Sequence, residues 1–425
     1  MSNVQAGSSS ELDSGISGIN ITLIDDEEKF RSLRSEWDEL LLKSNSNTIF
    51  LTWEWLYSWW INFKKPSWKL HILLFKTDDS LFGIAPFYAS TVKALKTLDV
   101  KKLYLVGYGS YDSEYLDLIY EAGRDKVFFA ELFKYLKRNK SSWDTLELNE
   151  VPESSTSHTL ISQYVQQDGY PITIKKHECA YVQLPDNWDN YLASMHYNFR
   201  KKLRHFIKRL ENGHQVEFTQ CPTKENLAGE LESLFELHQK HWESEDHEGS
   251  FANEQRRRFY YDMADYFMEK NWLRLYTLKV DGKFTAHQYC FEYNSRMFSL
   301  QDGYDPDWGD KRVARILRGY VFKDLISRGV KEYDFLGGLS AYKKNWLAVG
   351  KYSVNTSIIQ KNFKTLVHIR IPASIKKLRG AIKNSLPEKL VTWRDRRNEN
   401  IRRKIARQKI DERKKSGSES DENND

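Results

Sequence analysis

Apolar residues recur at helical spacing between Phe30 and Leu42, where Phe30, Leu33, Trp37, Leu40 and Leu41 share one stripe. The run Phe50-Leu51-Thr52-Trp53-Glu54-Trp55 leads into a second helix through Trp59, Trp60 and Phe63. The tryptophans Trp53, Trp55, Trp59 and Trp60 read as core, with any exposed member able to stack on a sugar ring. Leu70 to Phe75 and Leu81 to Ala89 read as strands around the polar turn Lys76 to Ser80. Short strands are expected at Leu103 to Val106 and Tyr115 to Tyr120, then a helix from Lys126 to Asn139 and a strand from Thr145 to Leu148.

The same order returns further along. A single long helix is expected from Trp188 to Asn212, with Leu192, Phe199, Leu203, Phe206, Ile207 and Leu210 inward, and Arg200, Lys201, Arg204, Lys208 and Arg209 opposite. Asn212-Gly213 closes it. After a strand Gln215 to Thr219 come helices Lys224 to His241 and Asn253 to Lys270. Three strands then run as a meander, Leu273 to Val280, Phe284 to Tyr293 and Met297 to Tyr304, joined by the hairpin signals Asp281-Gly282 and Asn294-Ser295. A loop rich in Gly and basic residues, Trp308-Gly309-Asp310-Lys311-Arg312, precedes a helix from Val313 to Arg328. A strand Tyr333 to Leu336 and the pair Gly337-Gly338 follow. The pattern is α/β, a mostly antiparallel meander in each of two units of one fold.

At 425 residues the chain exceeds the size at which one core stops growing, so two globular units are expected, over 20–183 and 184–360. Residues 1–19 are small and polar and read as disordered, with no secretory signal, and no apolar run is long enough to span a bilayer. These features point to the cytoplasm. The net charge of +6 is concentrated in residues 361–425, a basic tail whose end reads as disordered, while residues 1–360 are slightly acidic. Cys179, Cys221 and Cys290 are too scattered for a disulfide framework or a thiolate metal site, and His238, His241 and His247 read as a polar helix end, so no metal is expected.

Chemistry concentrates between Arg296 and Trp346. Val313, Ile316, Leu317, Tyr320, Val321 and Leu325 form the packing stripe of the helix. Arg312, Arg315 and Arg318 recur along another face, from the end where backbone N–H groups are free and the dipole is positive. A pyrophosphate placed there meets amides and guanidiniums together.

Four stretches carry a family resemblance: Trp53-Glu54-Trp55-Leu56, Gly83-Ile84-Ala85-Pro86-Phe87-Tyr88, Asn198-Phe199-Arg200-Lys201-Lys202-Leu203-Arg204, and Tyr333-Asp334-Phe335-Leu336-Gly337-Gly338 with Tyr342-Lys343-Lys344-Asn345-Trp346. Through them the chain resembles the GNAT acyltransferase superfamily, and within it the CelD/BcsL-type acetyltransferases of exopolysaccharide production, similar to the FemAB aminoacyltransferases. The resemblance implies two GNAT-like lobes. It also implies an acyl-CoA donor between the strands Met297 to Tyr304 and Tyr333 to Leu336, held by Tyr304, Gly309, Lys311, Arg312, Val313 and Arg315. The chain departs from the family in having no glycine after Gly309, where relatives carry a Ser-Pro-Gly-like turn.

Direct acyl transfer needs an acid for the departing thiolate and a base for the acceptor. Tyr342, beyond the glycine pair, is the expected acid, and His287 or Asp334 the expected base, Asp334 with a partner such as Lys343. An amino-sugar or polysaccharide-precursor acceptor is expected against Arg200, Arg204, Lys343 and Trp346. Two other readings stand beside this one. The first is a FemAB-like enzyme taking its acyl group from aminoacyl-tRNA. The second is a non-catalytic module whose basic tail docks on a membrane or nucleic acid.

Overall fold

The computed structural model describes residues 18–78, 80–94, 98–110, 112–220 and 223–367. Cys221 and all but the first seven residues of the basic tail lie outside them.

The first half of the chain runs β1 (Ile19–Ile24), α1 (Glu27–Ser32), α2 (Arg34–Leu42), α3 (Trp53–Phe63), β2 (Trp68–Thr77), β3 (Ser80–Ala94), β4 (Leu98–Leu105), β5 (Ile119–Tyr120), α4 (Asp125–Arg138), β6 (Thr145–Pro152), α5 (Thr156–Asp168) and β7 (Ile172–Gln183). The second runs α6 (Trp188–Ser194), α7 (Tyr197–Gly213), β8 (Val216–Gln220), α8 (Lys224–Ser244), α9 (Glu254–Glu269), β9 (Leu273–Val280), β10 (Lys283–Tyr293), β11 (Arg296–Tyr304), α10 (Val313–Ser327), β12 (Glu332–Gly337), α11 (Ala341–Lys344) and β13 (Val349–Ile359).

Among the described residues all these strands form one sheet in the order β1-β2-β3-β4-β6-β13-β7-β12-β11-β10-β9-β8, with β5 beside β3. The order is a palindrome. Read from either edge, four antiparallel strands lead to a parallel pair, β4–β6 or β11–β12, and then to a strand donated by the other half. β7 crosses to pair with β12, β13 returns to pair with β6, and the two exchanged strands zip together from Val349↔Tyr181 to Ile358↔Ile172. The duplication read from the order of elements is therefore a duplication of topology with its last strands swapped.

The hairpins form as their turn residues require: Asp281, Gly282, Asn294 and Ser295 all have positive φ. The long helix expected from Trp188 is instead two. Met195 and His196 are extended, and the His196 ring accepts the Asn198 N–H to start α7. Arg200 reaches back to donate to the Leu192 and Ala193 carbonyls at the end of α6, the first of which also accepts the Met195 N–H. The strand expected over Tyr115 to Tyr120 shrinks to Ile119–Tyr120. Tyr115 has φ 52°, and the Asp117 carboxylate takes the Leu118 N–H locally.

Two cores result. One joins α1–α3 and the first half of the sheet to α8 and α9, where Trp55 packs on Phe259, Phe267 and Phe291. Trp53, Trp55, Trp59 and Trp60 are all buried here, so none offers a face to a sugar. Each takes roughly 200 Å² out of water, on the order of 5 kcal/mol of transfer free energy. The other core packs α6, α7 and α10 on the opposite face of the second half. No helix among the described residues is long and apolar enough to cross a membrane.

Candidate active site

β11 and β12 pair at only three positions, Arg296↔Glu332, Met297↔Tyr333 and Phe298↔Asp334, and then part. A cavity of about 950 Å³ opens beyond, between Ser299–Tyr304 on one side, Phe335 and Gly337 on the other, and the start of α10. A second cavity, of about 670 Å³, lies where β11 and β12 begin and mixes Arg296 and Lys351 with Asp117 and Glu332.

The start of α10 is shaped by Arg312. It sits at φ 62° and ψ 37°, the left-handed conformation glycine favours, and no side chain caps the helix. The backbone thus makes without glycine the turn whose absence the sequence left open. Lys240 anchors the preceding loop, donating to Asp305 and Asp307 at 2.7 Å each. Arg312 is exposed at the cavity, and Arg315 lies half-buried over the rings of Phe199 and Phe206, at 5.1 and 5.8 Å. Burial and then Arg312 lower the Arg315 pKa, yet a guanidinium remains charged.

Arg318, the third arginine of that spacing, is buried rather than solvated. Its Nε–H donates to Tyr342 at 2.7 Å, one terminal nitrogen donates to Tyr333 at 2.7 Å, and the other is paired with Asp302. Tyr342 takes this bond at its oxygen, which leaves the phenolic proton directed elsewhere. Burial raises its pKa and Arg318 opposes the shift, so the phenol is protonated at neutral pH. Lys343 also lines the cavity, but its Nζ donates to the carbonyls of Phe335, Leu336 and Gly337 and pins the end of β12. Burial lowers its pKa, with Arg318 adding to the shift.

The cavity thus gathers Tyr304, Gly309, Arg312, Val313, Arg315, Tyr342 and Lys343 of the residues expected from sequence. Lys311 does not line it. His287 is fully buried and faces α8. Its Nδ1 lies 2.9 Å from the Thr277 hydroxyl, which itself donates to Glu230, and its Nε2 lies 2.9 Å from Ser233. Burial pushes its pKa down to about 3, and it is not among the residues lining the cavity, so it reads as a satisfied structural histidine. Asp334 points away as well, because neighbouring residues of a strand alternate faces and Tyr333 takes the Arg318 side. It is held by Lys351 at 2.6 Å, not by Lys343, and by the hydroxyl of Tyr115 and the N–H of Leu336.

Arg200 closes α6, and Arg204 is exposed on α7 outside the cavity lining. Trp346 is fully buried against Phe199 and Phe322. These three do not form an acceptor surface at this cavity. Sequence reasoning read His238 and His241 as a polar helix end and gave Asp302 no role. His238 lies between the Asp302 carbonyl at 3.0 Å and the Ser250 N–H at 3.3 Å. His241 faces the cavity with its ring against Tyr304, 4.4 Å between centroids, and burial lowers its pKa. Its placement one helical turn from His238 was the available signal.

Residues 197–344 match the family model of an acetyltransferase (GNAT) domain. This stretch of the chain is a GNAT acetyltransferase domain. The match runs from α7 into α11 and contains every residue of the larger cavity. A GNAT domain moves an acyl group from a donor to an acceptor, so two substrates are implied. Among solved structures, FemX is 12% identical with a TM-score of 0.58, covering 82% of this chain and 100% of its own. L-PGS from Bacillus licheniformis is 12% identical, with a TM-score of 0.46 and 82% and 96% coverage. A tandem GNAT protein from the clavulanic acid biosynthesis pathway is 11% identical, with a TM-score of 0.42 and 81% and 99% coverage. The likeness to FemX is one of fold. No curated protein matches the chain.

Proposed function

We propose that this GNAT protein takes an acyl group from an acyl-CoA and passes it directly to the amine of an amino sugar or a related polysaccharide or cell-envelope precursor. The observation that carries the reading is the convergence, on one cavity between parted strands, of an uncapped helix start, two cationic side chains and a phenol with its proton available. The donor's pyrophosphate is read against the first amides of α10 with Arg312 and Arg315, which leaves the thioester between β11 and β12.

In the transfer, the acceptor nitrogen attacks the thioester carbonyl carbon, the C–N bond forms and the C–S bond breaks. The thiolate takes the proton of Tyr342, whose oxygen Arg318 stabilises as charge develops. The surplus proton on nitrogen goes to His241, which takes the place of His287 and Asp334 as base because it faces the cavity and is neutral near pH 7. The proton held by His241 then returns to Tyr342 through water, which restores both groups.

Replacing Arg312 and Arg315 together by alanine is expected to weaken acetyl-CoA binding by about 100-fold in calorimetric titration, since each charge-assisted bond contributes roughly 1.5 kcal/mol or more. Unchanged affinity removes the donor site. The same protein titrated with aminoacyl-tRNA tests the competing donor, and tight binding of that ligand in place of acetyl-CoA would reassign the enzyme.

His241 supplies a pH test. Its pKa lies below the ordinary histidine value of about 6.5, so the ring accepts a proton above that depressed pKa and loses this ability as pH falls through it. The rate of CoA thiol release with an amino-sugar acceptor is expected to decline on the acid side. His241→Gln should lower the plateau by on the order of 100-fold and flatten that limb. An acid limb that survives the substitution assigns the base elsewhere.

A further inference from the structure

A cluster outside the donor cavity combines one thiol, one imidazole and two carboxylates. His177 and Cys179 stand two residues apart on β7, on one face of the strand. The segment after β4 brings Glu114 to them, and Glu150, in a left-handed conformation on β6, brings a second carboxylate. His177 Nε2 lies 3.3 Å from Glu114 Oε2 and 2.5 Å from Glu150 Oε2, and Cys179 Sγ lies 3.4 Å from the same Glu114 oxygen. The donor atoms of Glu114, His177 and Cys179 all fall within 4.8 Å of one another.

A protonated His177 between two carboxylates accounts for the contact with Glu150. The Cys179 thiol, fully buried, donates to the same Glu114 oxygen, so imidazole, thiol and carboxylate converge on one point. Around a tetrahedral zinc-type ion, bonds of about 2.0–2.3 Å put neighbouring nitrogen, oxygen and sulfur ligands about 3.3–3.6 Å apart. Both separations from the Glu114 oxygen are of that size. The set of one thiolate, one imidazole and one carboxylate suits a borderline-soft divalent ion rather than calcium or magnesium. The His177 side chain is 30% exposed, which leaves a way in from solvent.

We propose that Glu114, His177 and Cys179 bind one zinc-type divalent cation, with Glu150 beside the fourth position. Its place in the fold gives it a consequence for the enzyme. Cys179 pairs in register with Gly337, and a Cβ on that glycine would stand 3.1 Å from Glu114 Oε1. The ion therefore ties the exchanged strand β7 and the segment after β4 to the end of β12 that walls the donor cavity. It acts as a brace between halves and takes no part in the acyl transfer.

Full-length protein stripped by a chelator is titrated with Co²⁺ under reducing conditions. One equivalent is expected to bind with tetrahedral d–d bands and a thiolate-to-cobalt charge-transfer band, and Zn²⁺ should abolish both. Cys179→Ser should remove the charge-transfer band, and Glu114→Gln, which keeps the side-chain shape if the serine variant folds poorly, should weaken binding about tenfold or more. Absence of saturable one-to-one binding, or a charge-transfer band that persists in Cys179→Ser, overturns the site.

Discussion

Arg318→Met is expected to be the most destabilising single change in the second half of the chain, lowering unfolding free energy by about 3 kcal/mol in urea titration. The guanidinium is buried, pairs with Asp302 and satisfies the hydroxyls of Tyr333 and Tyr342. Breaking a buried pair by removing one partner costs roughly 3–5 kcal/mol, because the other charge loses its compensation. The lower end applies here, since the Asp302 side chain is 39% exposed and can turn to water. Methionine fills most of the volume, so a cavity adds little. Tyr333, fully buried, loses its charged donor and keeps Gln288 at 3.4 Å. A loss below about 1 kcal/mol, which is the range of an exposed ion pair, would mean that the arginine is solvated and does not organise the cavity.

Tyr342→Phe is expected to separate chemistry from binding. Removing the hydroxyl takes away the proton offered to the thiolate but keeps the ring, which is partly exposed; the buried Arg318 Nε–H loses its acceptor, so unfolding free energy should fall by about 1–3 kcal/mol. Turnover of acetyl-CoA with an amino-sugar acceptor should drop by on the order of 100-fold, the low end for loss of a general acid, while acetyl-CoA affinity holds. An aryl thioester, whose thiol leaves without help, should recover part of the deficit. A tyrosine that merely packs would leave turnover unchanged with both donors. Because Arg318 acts on the reaction through Tyr342, the two substitutions combined should cost less in turnover than the product of their separate effects.

The elements that sequence reasoning reached best are those with local causes. Asp281-Gly282 and Asn294-Ser295 carry their own turn geometry, and the meander β9–β11 follows from them. The stripe of α10 and the cations at its start are likewise local, which is why Arg312, Arg315 and Tyr342 lie at the cavity. What failed depended on partners far away in the chain. β7 and β13 pass unnoticed because their pairing partners are remote and several of their side chains face water, which blurs the period-two pattern. The break at Met195 rests on one histidine cap and one arginine reaching back, each too small a signal to outweigh an amphipathic run. His287 and Asp334 had the right chemistry for a base, but the parity of β10 and β12 turns both away from the cavity.

Taken alone, the chain's order of residues determined that helices and mostly antiparallel strands follow one another in the same order twice, and that a cationic helix start follows the second meander. Those features are set by neighbours within a few residues, through side-chain period and backbone preference. Only the folded molecule decided that the final strands are exchanged, that β11 and β12 part after three pairs, that Arg318 is sealed in, and that Glu114 meets His177 and Cys179. Each of these is a contact across tens to hundreds of residues. It is selected by burial of apolar faces and satisfaction of polar groups over the whole sheet, which no local window contains.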